Sequence, residues 1–144
     1  MADVTLAYVA FDPGKHTGYA FWTEEGQNHG MGQTHTKEEL QAVLRDIPDT
    51  VRTVIVEDFI LYPNKAGDQA GQRMHASEAI GLIEGWAIGS HRRLVKQMAH
   101  ILTQARLLTG IDDKKMSHDI SHQFSAYNHG EWYLIKEGVK KLTV

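Results

Sequence analysis

Two acids in this chain stand where a charge is hard to accommodate. Asp12 closes the apolar run Val9-Ala10-Phe11, and Glu57 closes Val54-Ile55-Val56. A carboxylate at the end of a buried strand must be solvated, paired or bound to a metal, because a bare desolvated charge is costly. Neighbouring strands of a sheet lie only about 4.8 Å apart, so acids distant in sequence can meet at one sheet edge. Hard oxygen donors suit Mg²⁺ or Mn²⁺. Ions held this way can activate water and stabilise a leaving oxygen in phosphodiester cleavage. Taken singly, each acid also fits a plainer role: Asp12 before Pro13-Gly14 as part of a turn, Glu57 as a solvated strand end.

Composition narrows the alternatives. The chain has 144 residues, 42% of them hydrophobic, which suits one domain with a real core. The absence of cysteine excludes a disulfide framework, a thiolate zinc site and a cysteine nucleophile, and fits a reducing cytoplasm. The N-terminal stretch lacks a basic region and carries Asp3, so no signal peptide is expected. No apolar run approaches the roughly 20 residues of a membrane span. The net charge is -3, so any contact with nucleic acid must come from a local basic patch. Lys65 and Arg73 near Glu57, the group Arg92, Arg93 and Lys96, and the pair Lys114 and Lys115 are candidates for phosphate contact; each also fits an ordinary surface charge. Phe59 and Tyr62, close after Glu57, fit either stacking on an unpaired base or packing in the core.

The elements that must position these residues can be read from pattern. Val4 to Phe11, Thr17 to Thr23 and Asn28 to Gln33 read as three strands joined by short Gly-containing turns, hence antiparallel hairpins. Thr36 to Asp46 reads as a helix, with Thr36 as N-cap and Glu39 completing a capping box. Thr53 to Val56 suits a strand buried on both faces. A loop from Phe59 to about Met74 precedes a helix over about His75 to His91. A strand over Leu94 to Gln97, a helix over Ala99 to Leu108, a polar loop over Asp112 to Ser121 and a last helix over Glu131 to Lys141 complete the chain. This order gives a mixed α/β sheet flanked by helices in one domain, residues 1–144.

The motif Asp12-Pro13-Gly14-x-x-Thr17-Gly18-Tyr19-Ala20 resembles the opening motif of the RuvC-like Holliday junction resolvases, of the RNase H-like superfamily. Glu57 after its apolar run is similar to that family's second metal-binding acid, and Ala70 to Gly81 resembles the start of the helix that follows. The resemblance covers most of the chain in order. It implies an RNase H-like fold and a Mg²⁺-dependent endonuclease, with Mn²⁺ able to substitute. It also implies branched DNA as substrate and a cytoplasmic setting in a bacterial or phage-infected cell. The aromatic of the family's matching loop aligns closest to Ile60. The Asp-x-Gly-x-x-Thr-Gly pattern also resembles the phosphate hairpin of actin-like and sugar-kinase ATPases, which need a second such domain. A junction-binding protein with altered catalysis is a further reading.

The C-terminal segment departs from the family. The family's last helix opens with two acids, or a histidine and an aspartate, three residues apart, whereas this chain has Asn128-His129-Gly130-Glu131. With a helix starting there, Glu131 is expected as the third metal ligand, Asn128 as a weak neutral donor, and His129 as a second ligand or proton-transfer group; Asp119 falls too far upstream. Glu131 equally fits a first-turn acid favoured by the helix dipole. Finally, Gly81, Gly85 and Gly89 recur every four residues and so form one stripe. Each costs about 1 kcal/mol against alanine in a helix interior. Close approach of another backbone would offset this, either the same helix of a second copy in a C₂ homodimer or the chain's own sheet.

Overall fold

The computed structural model describes residues 4–58 and 66–141, with side chains throughout except at residues 66–74. Three strands run first: β1 (Leu6–Asp12), β2 (Thr17–Thr23) and β3 (Asn28–Thr34). They form an antiparallel meander, as short glycine-containing turns require. Helix α1 (Lys37–Asp46) follows. The Thr36 hydroxyl accepts the Glu39 amide, and the Glu39 carboxylate reaches back to the amide of His35, one residue before the cap.

Strand β4 (Thr53–Asp58) pairs parallel with β1, and β5 (Arg93–Met98) pairs parallel with β4. The sheet order is β3-β2-β1-β4-β5. Helix α2 (Ala66–Gly89) crosses from β4 to β5, α3 (Leu102–Thr109) follows β5, and α4 (His118–Lys136) closes the fold. The sequence of strands and helices is the expected one, and so is the mixed sheet flanked by helices.

Strand alternation sorts the core into two layers. Val9, Phe11, Val54 and Val56 pack with Leu40, Leu44, Ile83 and Ala87 of α1 and α2. Ala10, Ala20, Trp22 and Ile55 point to the other face, against Tyr133 and Leu134 of α4. Period two therefore turns Asp12 and Glu57, each two residues beyond Ala10 and Ile55, toward the α4 face. Their strands place them side by side, since Phe11 pairs with Val56 in the register.

Two helix boundaries differ from expectation. Helix α2 begins at Ala66 rather than His75, so the loop after Glu57 is shorter than read. Helix α4 begins at His118, not near Glu131, and ends at Lys136. Residues 118–130 are rich in Ser, His, Asn and Gly, which are mediocre helix formers. The segment is helical because it packs along the sheet, contacting β1, β2, β3 and β4. Its buried face includes Ser125, Asn128, His129 and Gly130, so hydrophobic periodicity could not reveal it.

Candidate active site

The Asp12-Pro13-Gly14 turn and α4 are fitted to each other. The Thr17 hydroxyl bonds the Gly14 carbonyl at 3.2 Å and ties the turn. Gly18 lies directly under α4: a β-carbon there would collide with the carbonyl of His122. The Thr17-Gly18 pair thus closes the turn after Asp12 and lets the helix backbone come down onto β2.

Beneath α4 an open cavity of about 470 Å³ is lined by Asp12, Glu57, Asp113, Lys114, His118, Ser121, His122 and Ser125, together with Leu102 and Met116. That volume falls in the range of ligand-binding clefts. Asp12 is 8% exposed and its Oδ2 lies 3.1 Å from His122 Nδ1. Burial, and next the neighbouring Glu57, push its carboxyl well above the usual range. Burial also opposes ionisation of Glu57, but hydrogen bonds from His129 and Asp12 outweigh it and hold Glu57 below its usual range. Two carboxyl groups this close cannot both carry charge cheaply, and the opposite shifts make Asp12 the one that more readily keeps a proton.

His129 is fixed by Gln97, which stands beside Glu57 in the β4–β5 register. The Gln97 amide nitrogen donates to the His129 carbonyl oxygen at 3.0 Å and meets His129 Nδ1 at 3.1 Å. A carbonyl oxygen only accepts, so the amide group faces His129 with its NH₂, and Nδ1 must accept. With Nδ1 accepting, the ring proton is on Nε2, which lies 3.2 Å from Glu57 Oε1. The contact is close but off the angle of a hydrogen bond, and Nε2 has no other partner among the described residues. His129 turns its N–H toward Glu57, which suits the proton-transfer alternative expected for it and not the ligand alternative.

The other sequence-predicted residues divide clearly. Glu131 does not join Asp12 and Glu57. Its carboxylate is buried, accepts from Trp22 Nε1 at 2.8 Å, from Lys140 Nζ at 2.9 and 3.0 Å, and from the Tyr127 hydroxyl at 3.3 Å. Burial, then Glu131 itself, raises the Tyr127 hydroxyl to about 12. The reason is helical phase: with α4 starting at His118, positions 118, 121, 122 and 125 face the cavity and position 131 faces β2. Asn128 is also turned away, donating to Asp113 Oδ1 at 2.9 Å and to the Ile111 carbonyl and accepting from Thr109. Asp119 is exposed in the first turn of α4.

Among the basic candidates, Lys114 lines the cavity and Lys115 is exposed beside it. Arg92 is buried: it donates to the carbonyls of Val51 and Pro48 at 2.7 and 3.1 Å and lies over Trp86. It is a structural clamp, not a free phosphate contact. Arg93 is exposed, and Lys96 pairs with Glu84. Phe59, Tyr62 and Lys65 lie outside the described residues, as does the side chain of Arg73.

Sequence reasoning missed Asp113, His122 and Ser125. Asp113 sits in a 3₁₀ turn before α4; burial opposes its charge, but a two-pronged bond from Arg106, at 2.8 and 3.1 Å, outweighs it and holds the carboxyl below its usual range. His122 and Ser125 are three residues apart, the spacing expected for a histidine and an aspartate on the last helix, with serine where the aspartate would be. That spacing was the available signal.

A divalent ion fits the Asp12–Glu57 pair. The two carboxyl groups line one cavity side by side, where a cation would neutralise both, and the donors are hard oxygens. Among the described residues no three His, Asp or Glu side chains are arranged to hold one ion. Mg²⁺ does not demand that, since it commonly binds through one or two carboxylates and keeps several waters.

No protein-family model matches this sequence, and no curated protein matches it. The fold is shared with solved structures. A T. thermophilus RuvC in complex with a Holliday junction substrate is 13% identical, with a TM-score of 0.60 over 94% of this chain and 98% of that one. A Fowlpox virus resolvase in complex with Holliday junction DNA is 17% identical, with a TM-score of 0.58 over 93% of this chain and 99% of that one. The likeness establishes the fold alone, an RNase H-like mixed sheet flanked by helices that this chain shares with both structures.

Proposed function

We propose that this chain is a Mg²⁺-dependent endonuclease that cuts branched DNA, four-way junctions foremost. The observation that carries the reading is the pair Asp12 and Glu57, ending adjacent parallel strands and opening together into a cavity beneath α4. The likeness of the fold to two structures bound to Holliday junction DNA supports the choice of substrate. The work belongs to the cytoplasm of a bacterial or phage-infected cell.

In this reading Asp12 and Glu57 hold the ion, which when bound would polarise the scissile phosphate and lower the pKa of water. His129 aims Glu57 through its Nε2 proton. His122 orients Asp12, and Ser125 offers a neutral oxygen from the same helix face. Lys114, on the cavity wall, contacts the phosphodiester backbone. The Arg106-bound carboxylate of Asp113 keeps the cavity negative and so favours a cation.

A second reading rests on a specific observation: α4 supplies His118, Ser121, His122 and Ser125 to the cavity, but no carboxylate. A junction-binding protein with lost or weakened catalysis would look the same. One gel experiment separates the two: four-way junction, flap, duplex and single-stranded DNA with and without Mg²⁺. Junction cleavage that needs Mg²⁺ and disappears in Glu57→Gln supports the nuclease. A shifted but uncut junction at every metal concentration overturns it in favour of the binding protein.

The same proposal includes a homodimer, because two symmetric cuts need two sites. Among the described residues, a β-carbon added at Gly81, Gly85 or Gly89 would meet nothing within 4 Å beyond its own helix backbone, so no described part of the sheet covers this stripe. Ile88, on the same helix face, is 64% exposed. A second copy packing α2 against α2 would cover both.

A further inference from the structure

Four histidines from three parts of the fold gather into one cluster, and two of them, His118 and His122, line the cavity. His16 lies in the turn after β1, His35 follows β3, and His118 and His122 lie at the start of α4. His122 is committed to Asp12. The other three have no part in the chemistry proposed above.

Their spacing is that of co-ligands. His16 Nδ1 and His35 Nδ1 are 3.2 Å apart. The ring centre of His16 is 5.2 Å from that of His35 and 5.3 Å from that of His118. Two imidazoles on one tetrahedral ion, with metal–nitrogen bonds of about 2.0–2.1 Å, have their nitrogens about 3.3 Å apart and their ring centres about 5 Å apart. Without an ion, the two nitrogens stand within hydrogen-bond distance of each other, and an ion would take the place of a proton between them. Among the described residues a third ligand is not yet turned onto the point between them. His118 is exposed, its ring centre 5.3 Å from that of His16, and a change of rotamer would be needed to bring it onto that point.

We propose that His16, His35 and His118 form a nitrogen-donor site for a borderline divalent ion of the Zn²⁺, Co²⁺ or Ni²⁺ class, separate from the oxygen-donor pair Asp12 and Glu57. Donor type keeps the two sites apart, since imidazole suits Zn²⁺ and Ni²⁺ while carboxylate suits Mg²⁺ and Mn²⁺. An ion there ties the β1–β2 turn, the end of β3 and the start of α4 together, and so braces the rim of the cavity.

The test uses tag-free Glu57→Gln protein, in which the carboxylate pair is disabled, titrated with Co²⁺ and then Zn²⁺ against a chelating indicator. The expected result is one equivalent of Co²⁺ with the strong visible bands of four-coordinate cobalt, displaced by Zn²⁺, and a Tm raised by Zn²⁺. His16→Ala, His35→Ala and His118→Ala should each weaken Zn²⁺ binding at least tenfold while leaving the Tm in EDTA unchanged. His29→Ala, on exposed β3, should leave the affinity as it was. Equal Zn²⁺ affinity in His16→Ala or His35→Ala overturns the site, and equal affinity in His118→Ala overturns its three-ligand form. No step requires DNA cleavage, so the result stands apart from the outcome of the junction assay.

Discussion

His129 Nε2 stands 3.2 Å from Glu57 Oε1 because Gln97 holds the other side of the imidazole ring. The amide takes the Nδ1 lone pair and leaves the proton facing the carboxylate. Residues that orient a metal ligand in this way typically contribute 10- to 100-fold to metal affinity or activity. Gln97→Leu should therefore reduce Mg²⁺-dependent junction cleavage by about that factor, with higher Mg²⁺ restoring part of it. Full activity at low Mg²⁺ would show that the tautomer is immaterial.

Asp12 makes a prediction about stability without metal. Its folded carboxyl holds a proton more tightly than the unfolded one, owing to burial and then Glu57. With more protons bound in the folded state, stability falls as pH rises from the ordinary value of 3.8 through the raised folded pKa. Glu57 has the opposite sign: its stabilisation is present above its ordinary pKa and lost as pH falls through the lowered one. In EDTA at neutral pH, Asp12→Asn should thus melt higher than wild type, with the advantage vanishing below about pH 4. Mg²⁺ should raise the Tm of wild type and not of Asp12→Asn. A destabilised Asp12→Asn in EDTA would contradict this account.

Glu131 tests the placement of the last helix. Its carboxylate joins Trp22, Tyr127 and Lys140, so Glu131→Gln leaves a lysine short of its partner and should cost about 1–3 kcal/mol in urea unfolding. At a temperature where the variant is folded, its cleavage rate per folded molecule should match wild type. A folded, inactive Glu131→Gln would return this residue to the catalytic set.

The glycine stripe separates monomer stability from association. With open space around Gly85, Gly85→Ala should stabilise the isolated helix by up to about 1 kcal/mol. Gly85→Leu should keep the fold and push light-scattering mass from dimer to monomer. An unchanged dimer in Gly85→Leu would move the interface elsewhere.

Lys114 and Arg92 should respond differently to salt. Lys114→Ala should weaken junction binding and reduce the slope of log affinity against log salt by about 1. Arg92→Ala should lower stability, because Arg92 bridges the carbonyls of Val51 and Pro48, and leave the salt slope unchanged.

What the sequence determined by itself was the sheet and its two acids. The runs ending in Asp12 and Glu57 are apolar on both faces, a local signal that survives without knowledge of the partner strands. Period two then sends both carboxylates to the same face once those strands are parallel neighbours. What only the tertiary structure decided was the opposite wall of the cavity. Helix α4 is held by contact with the sheet rather than by propensity, and its inward face carries Ser125, Asn128, His129 and Gly130. Neither hydrophobic periodicity nor a capping pattern marks its start at His118. The start sets the phase, and the phase sends His122 and Ser125 to Asp12 while turning Glu131 to Trp22. The fate of Arg92 likewise depended on three carbonyls from a distant turn, which bring a charge into the interior that composition alone would leave on the surface.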